Sequence, residues 1–361
     1  MGKIRIGIIG AGSMASYHIA GFRKAGAEVV AVAAAHLESA ERRARAEHVP
    51  QAYGSVREML DAERLDAVSV ITPNRWHRPQ VIEALERGLH VYCEKPPALN
   101  ARETMAMAAA AAKARRHLLF GFCNRARPES TAIKREIESG RLGSVNSAQA
   151  AWVRRTGIPG FGGWFTTKAA SGGGPLIDLL HGTDLAMWFM GYPEPDYVLA
   201  RTFDDFIRDR RFRGPWGIPE HEDGVCDVEA AAHGFVTFKD GSCLSLRFSW
   251  AEMIKQEEIA LALQGTREGV AMRRVYGRDG DDATSEDTCE VYRMTAKGER
   301  RDGLLTTRKD PAMGRVRAAE NFVKVLEGRE KPLSDPSEAV KLMKVVDAVY
   351  KSARTGRPVK V

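Results

Sequence analysis

The sequence predicts an α/β domain with a doubly wound parallel sheet, followed by an α+β domain whose large, mostly antiparallel open sheet is flanked by helices. Over about the first 120 residues, strand-like and helix-like patterns alternate, which is typical of parallel strands joined by crossover helices. Beyond them, strand-like patterns follow one another, and FKDGSC contains a Lys-Asp-Gly hairpin turn. The 361 residues are therefore expected to form two domains, over residues 1–124 and 125–361.

Short apolar runs predict the strands of the first domain, and longer amphipathic runs predict its helices. The predicted strands are KIRIGIIG (3–10), EVVAVAAA (28–35), LDAVSVITP (65–73), HVYCEKP (90–96) and LLFGFC. The predicted helices are SMASYHIAGFRKAG and HRPQVIEALERG, which both end at a glycine, and ALNARETMAMAAAAAKARRH.

Strand patterns dominate the second domain. They are SVNSAQAAWVRR, AAAHGFVTFKDGSCLSLRFSWA and EEIALALQGTREGVAMRR, whereas segments 201–224 and 277–313 are polar and are expected to be loops. The last predicted element is the amphipathic helix DPSEAVKLMKVVDAVYKSARTG. Asp335 can cap this helix, Pro336 suits its first turn, and Gly356 closes it.

The composition is that of a soluble globular protein, with 44% hydrophobic and 28% charged residues. No apolar run reaches the roughly 18 residues that cross a bilayer, so a membrane partner is not expected. The five cysteines are scattered without a C-x-x-C pair, which favours reduced thiols in the cytoplasm and no metal site. The net charge is +7, but basic stretches such as RDRRFR (208–213) are short and mixed with acids. A solvated surface is therefore favoured over nucleic-acid binding.

The stretch GIIGAGSMASYH contains Gly10, Gly12 and Ala15 in G-x-G-x-x-A spacing, between a predicted strand and a predicted helix. Gly10 permits a tight turn, Gly12 lets the backbone approach a pyrophosphate, and Ala15 lets helix and strand pack closely. Ser13 and Met14 lie at the helix N-terminus, whose free N–H groups suit phosphates. A plain glycine turn is the alternative, but this context favours a Rossmann dinucleotide-binding loop.

The residues after the second strand leave the choice between NAD and NADP open. An acidic residue that would hold ribose hydroxyls is expected there, but Ala34 and Ala35 occupy the position. His36 follows directly, and Arg42 and Arg43 are close enough in sequence to meet a 2′-phosphate.

The stretch TPNRWHRPQVIEALERGLHVYCEKPPALN (72–100) closely resembles the Gfo/Idh/MocA family, the relatives of glucose-fructose oxidoreductase and inositol dehydrogenase. The resemblance extends to SGGGPLID, to VEAAAHGFVTFKDGS and to the C-terminal helix, and is weakest over 201–224 and 277–313. It implies that the cofactor is bound by Thr72, Pro73, Asn74, His77, Glu94 and Lys95.

Lys95 is the first catalytic candidate. It follows a buried strand whose C-terminal end should face the nucleotide crevice, where a lysine can contact ribose hydroxyls or a substrate oxygen. A surface lysine before a proline turn is the alternative. The family resemblance implies that Lys95 touches both cofactor and substrate, whereas Glu94 is expected to orient the loop.

The stretch SGGGPLIDLLHGTD (171–184) supplies the second group of candidates. A mostly apolar helix is predicted, in which Asp178 and His181 are i, i+3 neighbours, as are His181 and Asp184. A histidine beside carboxylates can act as a general acid or base, although a satisfied core histidine is the alternative. The resemblance implies an aspartate with a histidine four residues later, but this chain has one residue fewer between them. His181 is therefore expected to move the proton, with either Asp178 or Asp184 in support.

Further substrate contacts are expected from residues at the ends of predicted strands. Arg154 and Arg155 can bind sugar hydroxyls or an anionic group, and Trp164 can stack on a sugar ring or pack in the core. Asn124 ends the last predicted strand of the first domain, at the cofactor edge.

Together these residues predict an NAD(P)-dependent dehydrogenase or reductase of a sugar, glycoside or polyol. One alternative is an NAD-dependent glycoside hydrolase that acts through a transient keto-sugar. Another is a non-catalytic regulator of the same fold. The resemblance also implies a homodimer or homotetramer that forms through the C-terminal sheet.

Overall fold

A computed structural model of the chain describes residues 2–277, 284–306 and 308–361. The chain forms two compact units, Met1–Arg127 with Asp310–Val340, and Pro128–Lys309 with Lys341–Val361. The domain division between residues 124 and 125 stays a prediction. The packing adds that residues 310–340 belong with the first unit, which no motif in the sequence indicates.

The first unit contains a six-stranded parallel sheet in the order β3-β2-β1-β4-β5-β6. The strands are β1 Arg5–Ile9, β2 Glu28–Ala33, β3 Gln51–Tyr53, β4 Ala67–Val70, β5 His90–Cys93 and β6 Leu118–Phe120. All of the pairings within this sheet are parallel, which confirms the predicted doubly wound architecture. The carboxyl ends of β1 and β4 are adjacent, so the loops that follow them meet at one edge of the sheet.

Helices cross between these strands. They are α1 Met14–Lys24, α2 Leu37–Ala46, α3 Val56–Ala62, α4 His77–Glu86 and α5 Ala101–Ala114. Short 3₁₀ turns follow β4 and β6, at Asn74–Trp76 and Cys123–Ala126. The strand β3 and the helix α3 lie in a stretch where the sequence patterns predicted no element.

A later helix, α10 (Arg315–Leu326), completes the core of the first unit. It packs against α1, where a Cβ on Gly21 would lie 2.6 Å from that of Ala319. The ring of Phe322 lies 6.0 Å from that of Phe22 and 5.5 Å from that of Tyr92. Burial of these large side chains explains why a segment so distant in sequence belongs here.

The second unit is built on a nine-stranded sheet in the order β14-β13-β12-β11-β7-β10-β9-β8-β15. Of its pairings, only that between β7 and β10 is parallel among the described residues. The strands are β7 Val145–Val153, β8 Pro195–Phe203, β9 Ala231–Phe238, β10 Cys243–Ser249, β11 Glu258–Gly265, β12 Gly269–Tyr276, β13 Thr284–Met294, β14 Arg300–Leu304 and β15 Val359–Lys360. The predicted, mostly antiparallel open sheet is therefore confirmed.

The expectation that residues 277–313 form a loop is wrong for two parts of the segment, residues 284–294 and 300–304. It contributes β13 and β14, and residues 278–283 and 307 lie outside the described residues. Its polar composition hides the strands, because ion pairs occupy the solvent face. Arg273 on β12 pairs with Glu258 on β11 and with Glu286 on β13, at 2.7 and 2.6 Å. Such cross-strand pairs stabilise a sheet without the apolar alternation that predicts one.

The helices of the second unit are α6 Pro128–Glu138, α7 Lys168–Ser171, α8 Pro175–Asp178, α9 His181–Phe189 and most of α11 Pro336–Thr355. Helix α9 approaches the sheet closely, because a Cβ on Gly182 would lie 2.7 Å from the Phe248 ring. As predicted, Asp335 caps α11 by accepting a hydrogen bond from the Ser337 N–H at 2.7 Å. No helix in the described part of the chain combines the length and apolar character needed to cross a membrane.

Candidate active site

The loop between β1 and α1 has the shape of a dinucleotide-binding loop. Gly10 has a φ of +114°, and a Cβ there would lie 2.5 Å from the carbonyl oxygen of Ile71. A Cβ on Gly12, by contrast, would meet nothing within 4 Å. Gly10 is therefore required by the fold itself, whereas the open space at Gly12 is where a pyrophosphate could approach the backbone.

The start of α1 offers donors to a phosphate. Ser13 precedes the helix and makes no capping hydrogen bond with its side chain, and Met14 is the first helical residue. Ala15 is fully buried, as the fingerprint requires, and its N–H donates to the carbonyl of Gly12 at 3.1 Å. These residues fit a bound dinucleotide, because helix N-terminal N–H groups and the helix dipole favour an anion.

The predicted ribose region lies at the start of α2. His36 is exposed and directly precedes this helix. Arg43 turns back to the glycine loop, where it donates to the carbonyl of Ala11 at 3.2 Å and to Ser16 Oγ at 2.6 Å. Arg43 therefore holds the glycine loop in place, whereas the side chains of His36 and Arg42 face solvent.

The loop after β4 carries Thr72, Pro73 and Asn74. Thr72 and Pro73 are half-buried, and Asn74 is buried at the start of a 3₁₀ turn. His77 is fully buried, with Nε2 2.8 Å from the Thr72 carbonyl oxygen and Nδ1 2.8 Å from that of Pro96. Burial lowers the pKa of His77, although the two carbonyls oppose this shift. His77 thus joins two loops, and its predicted contact with the cofactor stays a prediction.

Lys95 follows β5 at the same edge of the sheet and is partly buried, before a cis peptide bond to Pro96. Its backbone N–H donates to Oε2 of Glu94 at 3.0 Å. The other oxygen of Glu94 lies 2.9 Å from Nε2 of His18, whose Nδ1 lies 2.8 Å from Ser69 Oγ. The prediction that Glu94 orients the loop agrees with these contacts.

Sequence reasoning did not assign a role to His18 or Ser69. Both are buried, His18 on α1 and Ser69 within β4, so their network connects the helix after the glycine loop to Lys95. The signal available in the sequence was a histidine on an otherwise apolar helix face. Such a residue needs a polar partner when it is buried.

In the second unit, Asp178 and His181 do not share one continuous helix, so that prediction is wrong. Helix α8 ends at Asp178 and α9 begins at His181, because Leu179 departs from helical geometry with ψ of +22°. The i, i+3 spacing therefore does not fix their relative orientation. His181 is 8% exposed, at the first turn of α9. Asp184 is fully buried and accepts a hydrogen bond from the Tyr192 hydroxyl at 2.6 Å.

Asp178 belongs to a cluster of charged and aromatic side chains. Its Oδ2 accepts a hydrogen bond from Trp250 Nε1 at 2.9 Å and lies 3.7 Å from Arg154 Nη1. Arg154 follows β7, and its Nε donates to Oε1 of Glu257 at 3.2 Å. The structure thus brings together Asp178 and Arg154, which were predicted as site residues from two separate stretches of the sequence.

The other nominated substrate contacts differ in exposure. Arg155 is exposed, and its Nη1 donates to the carbonyl of Lys255 at 3.2 Å. Trp164 is half-buried and stacks on its neighbour Phe165, with ring centroids 3.8 Å apart. Asn124 in the first unit is half-buried in a 3₁₀ turn rather than at the end of a strand, since β6 stops at Phe120.

Two of the three glycines of SGGGPLID, Gly173 and Gly174, lie against a buried pair of side chains, Glu229 and Tyr350, that sequence reasoning missed. Glu229 accepts hydrogen bonds from the Gly174 N–H at 3.0 Å and from the Tyr350 hydroxyl at 2.8 Å. A Cβ on Gly173 would collide with the Tyr350 hydroxyl, and one on Gly174 with the carbonyl of Glu229. Burial raises the pKa of Glu229. This carboxyl therefore fixes the chain that leads into α8 and Asp178.

The strand order and the open first crossover loop define the class of the first unit, which is a Rossmann dinucleotide-binding domain. Two models of one protein family match the chain. The first, described as an oxidoreductase family with an NAD-binding Rossmann fold, matches residues 4–122. The second, described as its C-terminal alpha/beta domain, matches residues 134–361. The chain belongs to the Gfo/Idh/MocA oxidoreductase family and is a nicotinamide-dependent enzyme.

Relatives and solved structures agree with this assignment. A D-glucoside 3-dehydrogenase of Escherichia coli (strain K12) is 30% identical over 99% of this chain and 97% of its own length. A D-xylose 1-dehydrogenase (NADP(+)) of Haloferax volcanii is 28% identical over 87% of this chain and 86% of its own. A levoglucosan dehydrogenase in complex with NADH and L-sorbose shares the fold, with a TM-score of 0.85, 20% identity, and coverage of 100% and 99% of the two chains.

Proposed function

We propose that this protein passes a hydride between NAD or NADP and a carbon of a sugar, glycoside or polyol. That carbon carries a secondary hydroxyl in one direction and a ketone in the other. The observation that carries the proposal is the fixed position of Lys95, at the sheet edge that also bears the glycine loop. The names of the relatives, a D-glucoside 3-dehydrogenase and a D-xylose 1-dehydrogenase, support the substrate class.

The first unit would hold the cofactor. Gly12, Ser13 and Met14 would face the pyrophosphate, and His36 would lie near the adenosine ribose. Thr72, Pro73, Asn74 and Lys95 would line the path toward the nicotinamide. The nicotinamide ring supplies the carbon that accepts or donates the hydride, and the protein positions the reacting groups and excludes water.

Two side chains are proposed to act on the substrate hydroxyl, His181 on its proton and Lys95 on its oxygen. As the hydride leaves its carbon, the hydroxyl must lose a proton, and His181 is the proposed acceptor. The ammonium of Lys95 would polarise the substrate oxygen and stabilise negative charge that develops on it. Asp178 is expected to orient the substrate rather than exchange the proton, because its Oδ2 already accepts from Trp250 and lies near Arg154. Asp184 accepts a hydrogen bond from the Tyr192 hydroxyl, and we expect it to hold α9 in place rather than to contact the substrate.

An absorbance screen at 340 nm tests the proposal, with NAD and NADP each offered inositols, aldoses and methyl glycosides. Turnover of at least one sugar or polyol is expected. A screen with no turnover in either direction would remove the proposal. A nitrophenyl glycoside in the same screen tests the hydrolase alternative, for which aglycone would be released without net NADH; the relatives' names do not favour this outcome.

The outer face of the nine-stranded sheet is the proposed interface of a homodimer or homotetramer. Leu199 on β8 and Phe235 on β9 are register partners, and they are 50% and 45% exposed. Tyr197 and Phe203 extend this apolar patch along β8. A second copy of the same sheet would cover it, since contiguous exposed apolar patches mark interaction sites. A cytoplasmic location is also proposed, supported by five cysteines that are all free thiols.

A further inference from the structure

Arg154 is surrounded by two carboxylates and two indole rings of the second unit. Its Nε donates to Glu257 at 3.2 Å, and its Nη1 lies 3.7 Å from Asp178. Its Cζ lies 4.5 Å from the centroid of the Trp216 ring and 5.5 Å from that of Trp152. Nη2 makes no hydrogen bond to any described residue, so the guanidinium retains donors for a ligand.

The formal charges of this cluster do not suit an anionic ligand. One guanidinium lies beside two carboxylates, which leaves a formal charge of −1. All three side chains are at most 17% exposed, so solvent screens them little. An arginine that binds a carboxylate or phosphate of a ligand needs its own charge uncompensated. Arg154 is therefore better suited to donate to neutral hydroxyl groups.

Trp216 adds an aromatic surface to the cluster. It lies in segment 201–224, where the resemblance to the family is weakest, yet the chain around it is held firmly. The Gly157 N–H donates to the carbonyl of Phe212 at 3.1 Å, and the Gly214 N–H donates to that of Ile158 at 2.9 Å. A Cβ on Gly214 would collide with the Trp216 ring, so the glycine lets the indole fold back over the chain.

We propose that Arg154 and Trp216 form a specificity subsite for an uncharged sugar ring, and that this subsite discriminates against uronates. The proposal rests on the function proposed above and names the substrate class of that site. The indole is 41% exposed, so it presents surface on which the C–H face of a pyranose can pack. Arg154 would donate to ring hydroxyls, and Asp178 and Glu257 would repel a carboxylate at that place.

Two sugars that differ in one group test the charge preference. Methyl β-D-glucopyranoside and its 6-carboxylate, the methyl glucuronide, are compared as substrates of the wild-type holoenzyme. The expected kcat/KM is at least tenfold higher for the neutral glycoside. Glu257→Gln keeps a hydrogen-bond acceptor for Trp152 and Arg154 but removes one negative charge. It should lower the ratio of kcat/KM for the neutral glycoside to kcat/KM for the glucuronide at least threefold. A wild-type preference for the glucuronide, or a ratio that Glu257→Gln leaves unchanged, would overturn the proposal.

A matched pair of variants tests the aromatic surface. Trp216→Ala is expected to lower kcat/KM for the neutral glycoside about tenfold, mainly through KM, because it removes the stacking surface. Trp216→Phe keeps an aromatic ring and should remain within about threefold of the wild type. Equal kcat/KM for wild type and Trp216→Ala, at equal thermal stability, would refute the role of Trp216.

Failure of the subsite is distinguishable from failure of the proposed function. Binding of the two sugars to the protein with NADH present can be measured by ligand-observed NMR, without turnover. If no sugar is oxidised but the neutral glycoside binds and Trp216→Ala abolishes that binding, the subsite stands and the proposed reaction fails. If sugars are oxidised while Trp216→Ala binds them as the wild type does, the reaction stands and the subsite fails.

Discussion

The Nε2 atom of His18 lies 2.9 Å from Oε1 of Glu94, in the interior of the first unit. The Nδ1 atom of His18 lies 2.8 Å from the Ser69 hydroxyl oxygen, so both ring nitrogens of this buried histidine have a polar partner. The second carboxylate oxygen accepts from the Lys95 N–H. One buried network therefore sets the backbone position of the proposed catalytic lysine.

Removing the Glu94 carboxylate should impair catalysis more than cofactor binding. Glu94→Ala is expected to lower kcat roughly 10- to 100-fold, because a small displacement of a reacting group has an effect of that size. Glu94→Gln should lose less, since its amide oxygen can accept from the Lys95 N–H and its amide N–H can donate to Nε2 of His18. Steady-state kinetics are measured with the dissociation constant for NADH and the thermal midpoint. Equal losses for the two variants would argue against a positioning role.

Substitution of the two glycines of the dinucleotide loop by alanine should have different effects, on stability at Gly10 and on cofactor binding at Gly12. Gly10→Ala is expected to lower the free energy of unfolding by about 2 kcal/mol or more, because its φ of +114° and the nearby Ile71 carbonyl are both unfavourable for a Cβ. Gly12→Ala should change that free energy by less than about 0.5 kcal/mol. It should nevertheless weaken NADH binding about tenfold, because the added methyl group would occupy the space proposed for the pyrophosphate. Urea unfolding without cofactor and NADH fluorescence titration measure the two effects. A Gly12→Ala variant that binds NADH normally would contradict the assigned position of the pyrophosphate.

The stabilisation that Glu330 gives the first unit should be lost at acid pH. Burial raises the pKa of Glu330, but hydrogen bonds from Asn321, Arg317 and Lys324 outweigh burial and lower it to about 2. The pKa of the folded state is thus below the ordinary 4.5, so the stabilisation is present above pH 4.5 and is lost as the pH falls toward 2. Glu330→Gln should lower the thermal midpoint by about 2–4 °C at pH 7, which corresponds to about 1 kcal/mol. The difference in thermal midpoint between wild type and Glu330→Gln should decrease steadily as the pH falls from 4.5 to 2. A difference that is constant with pH would assign the effect to packing rather than to charge.

The apolar face of the nine-stranded sheet should control the assembly state. Leu199→Asp places a charge beside Phe235, its register partner, and is expected to shift the protein from an oligomer to a monomer in light scattering after size exclusion. Met105→Asp on α5 of the first unit is the matched control, since Met105 is 43% exposed and Leu199 is 50% exposed. The control should leave the mass unchanged. A monomeric wild type, or a Leu199→Asp variant with unchanged mass, would contradict the proposal that this face of the sheet is the interface.

Most of the fold could be predicted from local patterns, because the strands of the first unit are short apolar runs and α1 follows a glycine fingerprint. The packing of α10 onto α1 could not be, since it depends on Gly21 and Phe322, which are about 300 residues apart and carry no local signal. Strands β13 and β14 were missed because ion pairs such as Arg273–Glu286 replace apolar alternation on their exposed face.

The candidate site was predicted in part. Residue type and strand position nominated Lys95, Glu94 and Arg154, and the structure gives each of them defined partners. The break between α8 and α9 was not predictable, because LIDLLHGTD reads as a continuous helix and the departure occurs at the unremarkable Leu179. Glu229 and Trp216 were missed for a different reason. Their roles depend on contacts with distant glycines, Gly174 and Gly214, that no spacing in the sequence reveals.

The most direct test of the central claim is the initial rate of NADH or NADPH formation with a methyl glycoside, measured for wild type, Lys95→Met and His181→Asn. The wild type is expected to form one reduced cofactor for each keto-sugar produced. Each variant should lose at least 100-fold in kcat while it keeps its fold, as judged by thermal midpoint. Either variant turning over at the wild-type rate would contradict the proposed catalytic roles. A wild type that forms no reduced cofactor with any sugar or polyol would contradict the proposed reaction.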